Sequence, residues 1–151
     1  MPNYNVLSLF TNYIFVSAVS AWIIAQLAKV VVNIIKKDKI KLRSILFDTG
    51  GMPSSHSAVV TALCTASALV YGFTSFEFAV TSIMAVIVIR DATGVRFETG
   101  EQAKFLNHLI ENWEGLDREE RFKELLGHTP LQVFFGSLLG IAVAIIFWFI
   151  Y

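Results

Sequence analysis

Two stretches of this chain, 11–35 and 131–151, each carry more than twenty predominantly apolar residues in succession. A helix rises about 1.5 Å per residue, so about 20 such residues cross the ~30 Å hydrocarbon core of a bilayer. The averages agree with the runs. Hydrophobic residues make up 55% of the 151-residue chain and charged residues 16%, against about 45–50% and about 25% in soluble domains. Mean hydropathy is +0.62. The sequence therefore predicts a single all-α membrane domain over 1–151, an integral bundle of about four transmembrane helices. These are expected at about 11–35, 57–73, 76–90 and 131–151. The chain start has neither a basic leader nor a small-residue cleavage site, so the first apolar stretch is expected to stay as a helix.

The connections are unequal. Gly72-Phe73-Thr74-Ser75 reads as a tight turn, whereas 36–53 and 90–130 are long and polar. With four helices both long segments fall on one side of the membrane. Of the twelve Lys and Arg residues, all but Lys29 lie in those two segments. Positive charge favours the cytoplasmic side, so the long segments are expected there, in a multi-pass protein of a bacterial cell membrane. The insertion over about 97–127 has amphipathic character. Ala103, Leu106, Leu109, Ile110 and Trp113 recur at helical spacing over Gly100 to Trp113. A second short helix is expected from Asp117 to Leu126, stopped by Gly127, with His108 on a solvated lid. Formal net charge is zero and no basic block is long enough for nucleic acid. Cys64 stands alone in an apolar run and reads as a small buried hydrophobe.

Four features carry chemistry. Gln26, Lys29 and Asn33 share one face of the first helix, and polar groups inside a membrane helix turn to a bundle interior or watery cavity; Lys29 is also near enough to the helix end to snorkel. Gly50-Gly51-Met52-Pro53-Ser54-Ser55-His56-Ser57 leads straight into an apolar helix. Its glycines admit close approach, Ser54 or Ser55 can cap, and the free N–H groups form an anion site beside a titratable histidine. Gly127-His128-Thr129-Pro130 repeats that arrangement before the last helix, with Thr129 suited to the N-cap and Pro130 to the first turn. Arg90-Asp91-Ala92-Thr93-Gly94-Val95-Arg96 falls on the same side. There Arg96 can grip phosphate and Asp91 can orient a histidine or an arginine.

Taken together, Gly-Gly-Met-Pro-Ser-Ser-His-Ser-Ala, Asp-Ala-Thr-Gly-Val-Arg and Gly-His-Thr-Pro resemble the type 2 phosphatidic acid phosphatase superfamily, which includes the vanadium-dependent haloperoxidases. They look like a small divergent membrane branch of it, over about Gln26 to Gly140. Pro53-Ser54-Ser55-His56 is similar to the superfamily's Pro-Ser-Gly-His motif. The resemblance implies that His56 protonates a leaving oxygen and that His128 attacks phosphorus. It also implies a motif lysine: Lys36 has the right spacing to Arg43, though Ser44 stands where the motif has Pro, and Lys29 is the alternative. Gln132 occupies the place of the motif Asp, no Ser-Arg pair precedes His128, and Arg96 or Lys123 is left to supply that arginine.

The implied activity is hydrolysis of a lipid phosphate or diphosphate without cofactor or metal. His128, His56 and Asp91 would be catalytic; Lys29, Arg96, Ser54, Ser55, Gly51 and Arg43 would bind phosphate. The expected partners are that substrate and membrane lipids. Gln132 also admits another reading, a non-catalytic lipid-phosphate binding, translocation or assembly factor. Losing the carboxylate of a comparable triad costs roughly 10⁴-fold in rate. Gly136 and Gly140 form a small-residue packing pattern, compatible with a homo-oligomer or a structural membrane subunit.

Overall fold

The computed structural model describes residues 5–35, 51–112, 122 and 127–151. Lys36, Arg43, Ser44, Gly50, Trp113, Lys123 and most of the helix expected over 117–126 lie outside these residues.

Among the described residues every regular element is helical. A short 3-10 turn, Val6–Thr11, leads into α1, Tyr13–Ile35. Next come α2, Ser55–Tyr71, α3, Phe76–Thr93, α4, Val95–Asn112, and α5, Pro130–Ile150. The element order is that of a helical membrane bundle. Helix α1, the run from α3 into α4, and α5 are long and apolar enough to cross a membrane; α2 is shorter, at 17 residues.

The boundaries follow from caps. Ser54 accepts from the Ser57 N–H and starts α2 two residues before the apolar run expected at 57. Gly72, at φ +82°, ends it two residues before 73. A positive φ suits a residue without Cβ, and the Gly72 N–H closes the last turn on the Ala68 carbonyl. Ser75 caps α3 by accepting from Phe78 N–H at 3.1 Å. Helix α3 passes through Arg90-Asp91 to Thr93 rather than closing at residue 90, because charged side chains at a helix end can reach water. Gly94 then breaks the axis and α4 starts at once. This places the start of the amphipathic helix at Val95, five residues before Gly100.

The core is built from small side chains. Ala21, Ala25, Ala58, Ala62, Ala66 and Ala144 are fully buried together with Val143, while Phe73, Phe76, Ile83, Phe149 and Ile150 face outward. In a bilayer the outside is as apolar as the inside, so small residues that let backbones approach drive association. Helix α2 lies centrally and touches α1, α3 and α5. A Cβ on Gly136 would collide with the Ser54 carbonyl, and one on Gly140 with the Ala58 carbonyl and the Thr61 hydroxyl. The Gly136–Gly140 pattern is thus occupied inside the chain, by α2.

Contacts at each end set the directions of the helices. Tyr13 donates its hydroxyl to the Ala144 carbonyl at 2.7 Å, so α1 begins where α5 finishes. At the other end Ser54 N–H donates to the Gln132 carbonyl at 3.0 Å, and His128 N–H to the Ala92 carbonyl at 3.0 Å. The start of α2, the start of α5 and the end of α3 therefore meet at one end of the bundle.

Candidate functional site

Those stitched helix ends surround a cavity of about 300 Å³ lined by His56, Ile87, Val88, Asp91, Ala92, Arg96, Gly127 and His128. His56 comes from the first turn of α2, His128 from the residue before the α5 cap, and Asp91 and Arg96 from either side of the α3–α4 break. The two imidazole rings lie 6.2 Å apart at an interplanar angle of 56°.

The position of His128 follows from local sequence. Thr129 caps α5 by accepting from the Gln132 N–H, Pro130 takes the first helical position, and Gln132 Oε1 accepts from the Thr129 N–H at 3.1 Å. That is a reciprocal capping box. The same Oε1 lies 3.2 Å from His128 Nδ1. His128 is 2% exposed, and its Nε2 is buried without a hydrogen-bond partner among the described residues. Burial holds His128 below the usual histidine range. The hydrogen bond to Gln132 acts in the opposite direction, and the positive Lys29, His56 and Arg96 add to the lowering. His128 is neutral near pH 7, with a lone pair to offer.

Gly127 gives the loop room to reach this place, because a Cβ there would run into the backbone of Arg96 and Phe97. Its sequence neighbours suggested a helix stop; its place on the cavity wall depends on a tertiary contact that local pattern does not encode.

Lys29 lies beside the cavity rather than on its wall. It is 4% exposed and donates to the Ser55 hydroxyl at 3.3 Å. Gly51, at φ +90°, passes against the aliphatic stem of Lys29; a Cβ there would lie 3.8 Å from its Cδ. Gln26 is half-buried, its Oε1 without a hydrogen-bond partner among the described residues, so the polar face of α1 does turn into the bundle. Ser54 is fully buried, and its hydroxyl is engaged with the N–H and hydroxyl of Ser57. Its contribution is to shape the start of α2, where the Ser55 and His56 N–H groups have no helical carbonyl to meet. Asp91 forms an ion pair with Nε of Arg96, leaving the outer guanidinium nitrogens available. Of the residues singled out in the sequence, the structure gathers His56, His128, Asp91 and Arg96 around the cavity. Lys29, Ser55 and Gly51 form an adjoining cluster.

Chemically, the end of the bundle offers an ammonium, a guanidinium, first-turn N–H groups and two imidazoles, with Asp91 the lining carboxylate. This set suits a compact oxyanion. Among the described residues no group of three or more His, Cys, Asp or Glu side chains is placed to hold a metal ion.

The divergent PAP2 family matches residues 10–143 of the chain. An uncharacterized membrane protein of Bacillus subtilis (strain 168), YuiD, is 42% identical over 153 residues, covering 93% of this chain and 96% of that protein. No solved structure matches the chain. With the motifs on converging helix ends and the match running almost throughout, this chain is a membrane protein belonging to the divergent PAP2 family.

Proposed function

We propose that the protein is a membrane phosphatase hydrolysing a lipid phosphate or diphosphate, with His128 as nucleophile and His56 as general acid. The observation that carries this reading is the pair of histidines on one cavity, His128 having a buried, unpartnered Nε2. The Nε2 lone pair attacks phosphorus, the bond from phosphorus to the leaving oxygen breaks, and that oxygen takes the His56 proton. His56 then removes a proton from water as it attacks the phosphohistidine, the P–N bond breaks, and inorganic phosphate leaves. Lys29, Arg96 and the N–H groups of Ser55 and His56 stabilise charge on the equatorial oxygens. A bound anion beside His56 makes protonation of that ring easier, which charges it as the acid.

The lipid character of the substrate is supported by Ile87 and Val88, which line the cavity one helical turn from Asp91 and are apolar. A phosphate held by the polar rim directs the first carbons of its alcohol along these side chains. The distribution of Lys and Arg supports a cytoplasmic position for this end of the bundle.

The test is phosphate release by the purified protein from a panel of glycerolipid and prenyl phosphates and diphosphates, beside His128→Ala and His56→Ala. Release by the parent and loss in both variants is the expected result. A specific observation favours a second reading: Gln132 brings no charge to His128, which suits a protein that binds lipid phosphate without cleaving it. No release, combined with a raised melting temperature in orthovanadate, would replace the enzyme by that binder.

A further inference from the structure

We infer that Gln132 is the positioning residue for His128, fixing its proton on Nδ1 and its lone pair on Nε2 through the capping box of α5. The Thr129 N–H is a backbone donor and can only donate. The Gln132 side-chain atom it meets, at 3.1 Å, is therefore the amide oxygen rather than the amide nitrogen. That same oxygen lies 3.2 Å from His128 Nδ1. An amide oxygen can only accept, so Nδ1 must carry the hydrogen. Neutral imidazole has one N–H, and Nε2 is left as the acceptor and nucleophile. Nothing else in the described chain competes for it, since Nε2 has no hydrogen-bond partner.

The helix cap is thus also a tautomer selector. Thr129 and Gln132 hold each other, as a capping box does, and this takes away the freedom of the Gln132 amide to flip. The Gln132 carbonyl is anchored as well, by the Ser54 N–H at the start of α2. One residue therefore joins the α2 cap, the α5 cap and the His128 ring. A glutamine does this without bringing a negative charge, so Nε2 stays a weak base and the imidazolium formed on phosphoryl transfer gains no ion pair. The assignment of the nitrogens stands on the hydrogen bonds alone; the positioning role rests on the phosphatase reading.

The experiment uses the full chain in detergent micelles or nanodiscs with ¹⁵N-labelled histidine. Long-range proton–nitrogen correlation spectra are recorded above the histidine titration range, with His56→Asn and His108→Asn assigning the other two rings. The parent is expected to show His128 protonated at Nδ1. Thr129→Ala removes the hydroxyl of the cap but leaves the amide in place, and should keep that tautomer while lowering the melting temperature. Gln132→Glu keeps both acceptor bonds and should keep it too. Gln132→Leu should give the Nε2–H form, or a mixture, with kcat reduced by at least roughly 100-fold and KM nearly unchanged. Should Gln132→Leu fail to fold, the parent and Gln132→Glu spectra decide alone. An Nε2–H ring in the parent, or an unchanged Nδ1–H ring in folded Gln132→Leu, overturns the inference. Absence of phosphate release with the Nδ1–H spectrum intact instead overturns the phosphatase reading and leaves the tautomer assignment standing.

Discussion

The Lys29 ammonium lies 3.3 Å from the Ser55 hydroxyl, tying a buried position of α1 to the first turn of α2. A charge taken out of water costs several kcal/mol unless its surroundings compensate. The phosphatase reading gives this one a role in holding phosphate. Lys29→Met preserves the aliphatic stem along Gly51 and removes the charge. It is expected to lower phosphate release by roughly 10²–10³-fold, the usual effect of removing one oxyanion donor. The stabilisation by orthovanadate should vanish with it. Full activity in this variant would remove Lys29 from the site.

His128 gives the pH dependence a definite sign. Burial holds its folded value below 6.5, so at pH values between the two the unfolded chain binds the extra proton. Its contribution to stability is complete above the unfolded value and is lost as pH falls from about 6.5 toward the folded value. The melting temperature should therefore drop with acidification through that window, and His128→Asn should flatten this part of the profile. Activity follows the neutral ring, so the acid limb of kcat/KM should have its midpoint below the ordinary histidine value. Gln132→Glu places a carboxylate beside Nδ1 and should move that limb upward. A midpoint above 6.5 in the parent would contradict the buried, neutral nucleophile.

Gly140 faces the Ala58 carbonyl and the Thr61 hydroxyl, and Gly136 faces the Ser54 carbonyl. Backbone oxygens cannot rotate away, so an added methyl must push α5 off α2. Gly136→Ala and Gly140→Ala are each expected to destabilise the bundle by about 1–3 kcal/mol. Gly136→Ala should reduce phosphate release more, since Ser54 stands two residues before His56 and the displaced helix start carries that ring. Size-exclusion chromatography with light scattering should give an unchanged oligomeric mass for both, because this face is filled within the chain. A change of mass would show that the pattern also serves an interface.

Much of this architecture is legible in sequence because the signals are local. Apolar run length announces α1 and α5, and Thr129-Pro130 with Gln132 announces the α5 start. The face shared by Gln26, Lys29 and Asn33 is legible for the same reason, as a matter of helical spacing. Other features require the third dimension. Either Ser54 or Ser55 suits an N-cap; the contact of Ser54 with Gly136 and its bond to Gln132 choose Ser54, which frees Ser55 for Lys29. The tie between the end of α3 and the start of α5 depends on Ala92 receiving the His128 N–H, a bond between residues far apart in sequence. The pairing of Asp91 with Arg96, rather than with a histidine, depends on the break at Gly94.

The two ends of the bundle should be distinguishable by chemical labelling. Cys64→Ala provides a cysteine-free background, and single cysteines then replace Glu101 in α4 or Thr74 in the α2–α3 turn. Both replaced side chains are exposed, so reactivity reports the compartment rather than burial. In intact bacterial cells a membrane-impermeant maleimide should label the Thr74→Cys protein and spare Glu101→Cys until the membrane is opened. The reverse pattern would place the cavity outside the cytoplasm and require its substrate to come from the opposite leaflet.

Arg96 and Asp91 separate function from stability most cleanly. Their side chains are 53% and 41% exposed, and an ion pair that open to solvent contributes at most about 1 kcal/mol. Neither Arg96→Ala nor Asp91→Asn should therefore move the melting temperature by much. Arg96 nevertheless lines the cavity with its outer nitrogens unclaimed by Asp91, and a guanidinium can hold two phosphate oxygens at once. Arg96→Ala should raise KM and lower kcat, because the grip holds bound substrate and strengthens as charge builds on the phosphoryl oxygens in the transition state. Arg96→Lys should restore little, since an ammonium cannot reproduce the planar fork. Asp91→Asn keeps a hydrogen-bond acceptor for Nε but loses the charge, so its effect should be smaller, about tenfold, and fall mainly on KM. If Asp91→Asn instead abolished turnover while substrate binding persisted, Asp91 would have a direct part in proton transfer, and the division of labour between His56 and His128 would have to be redrawn around it.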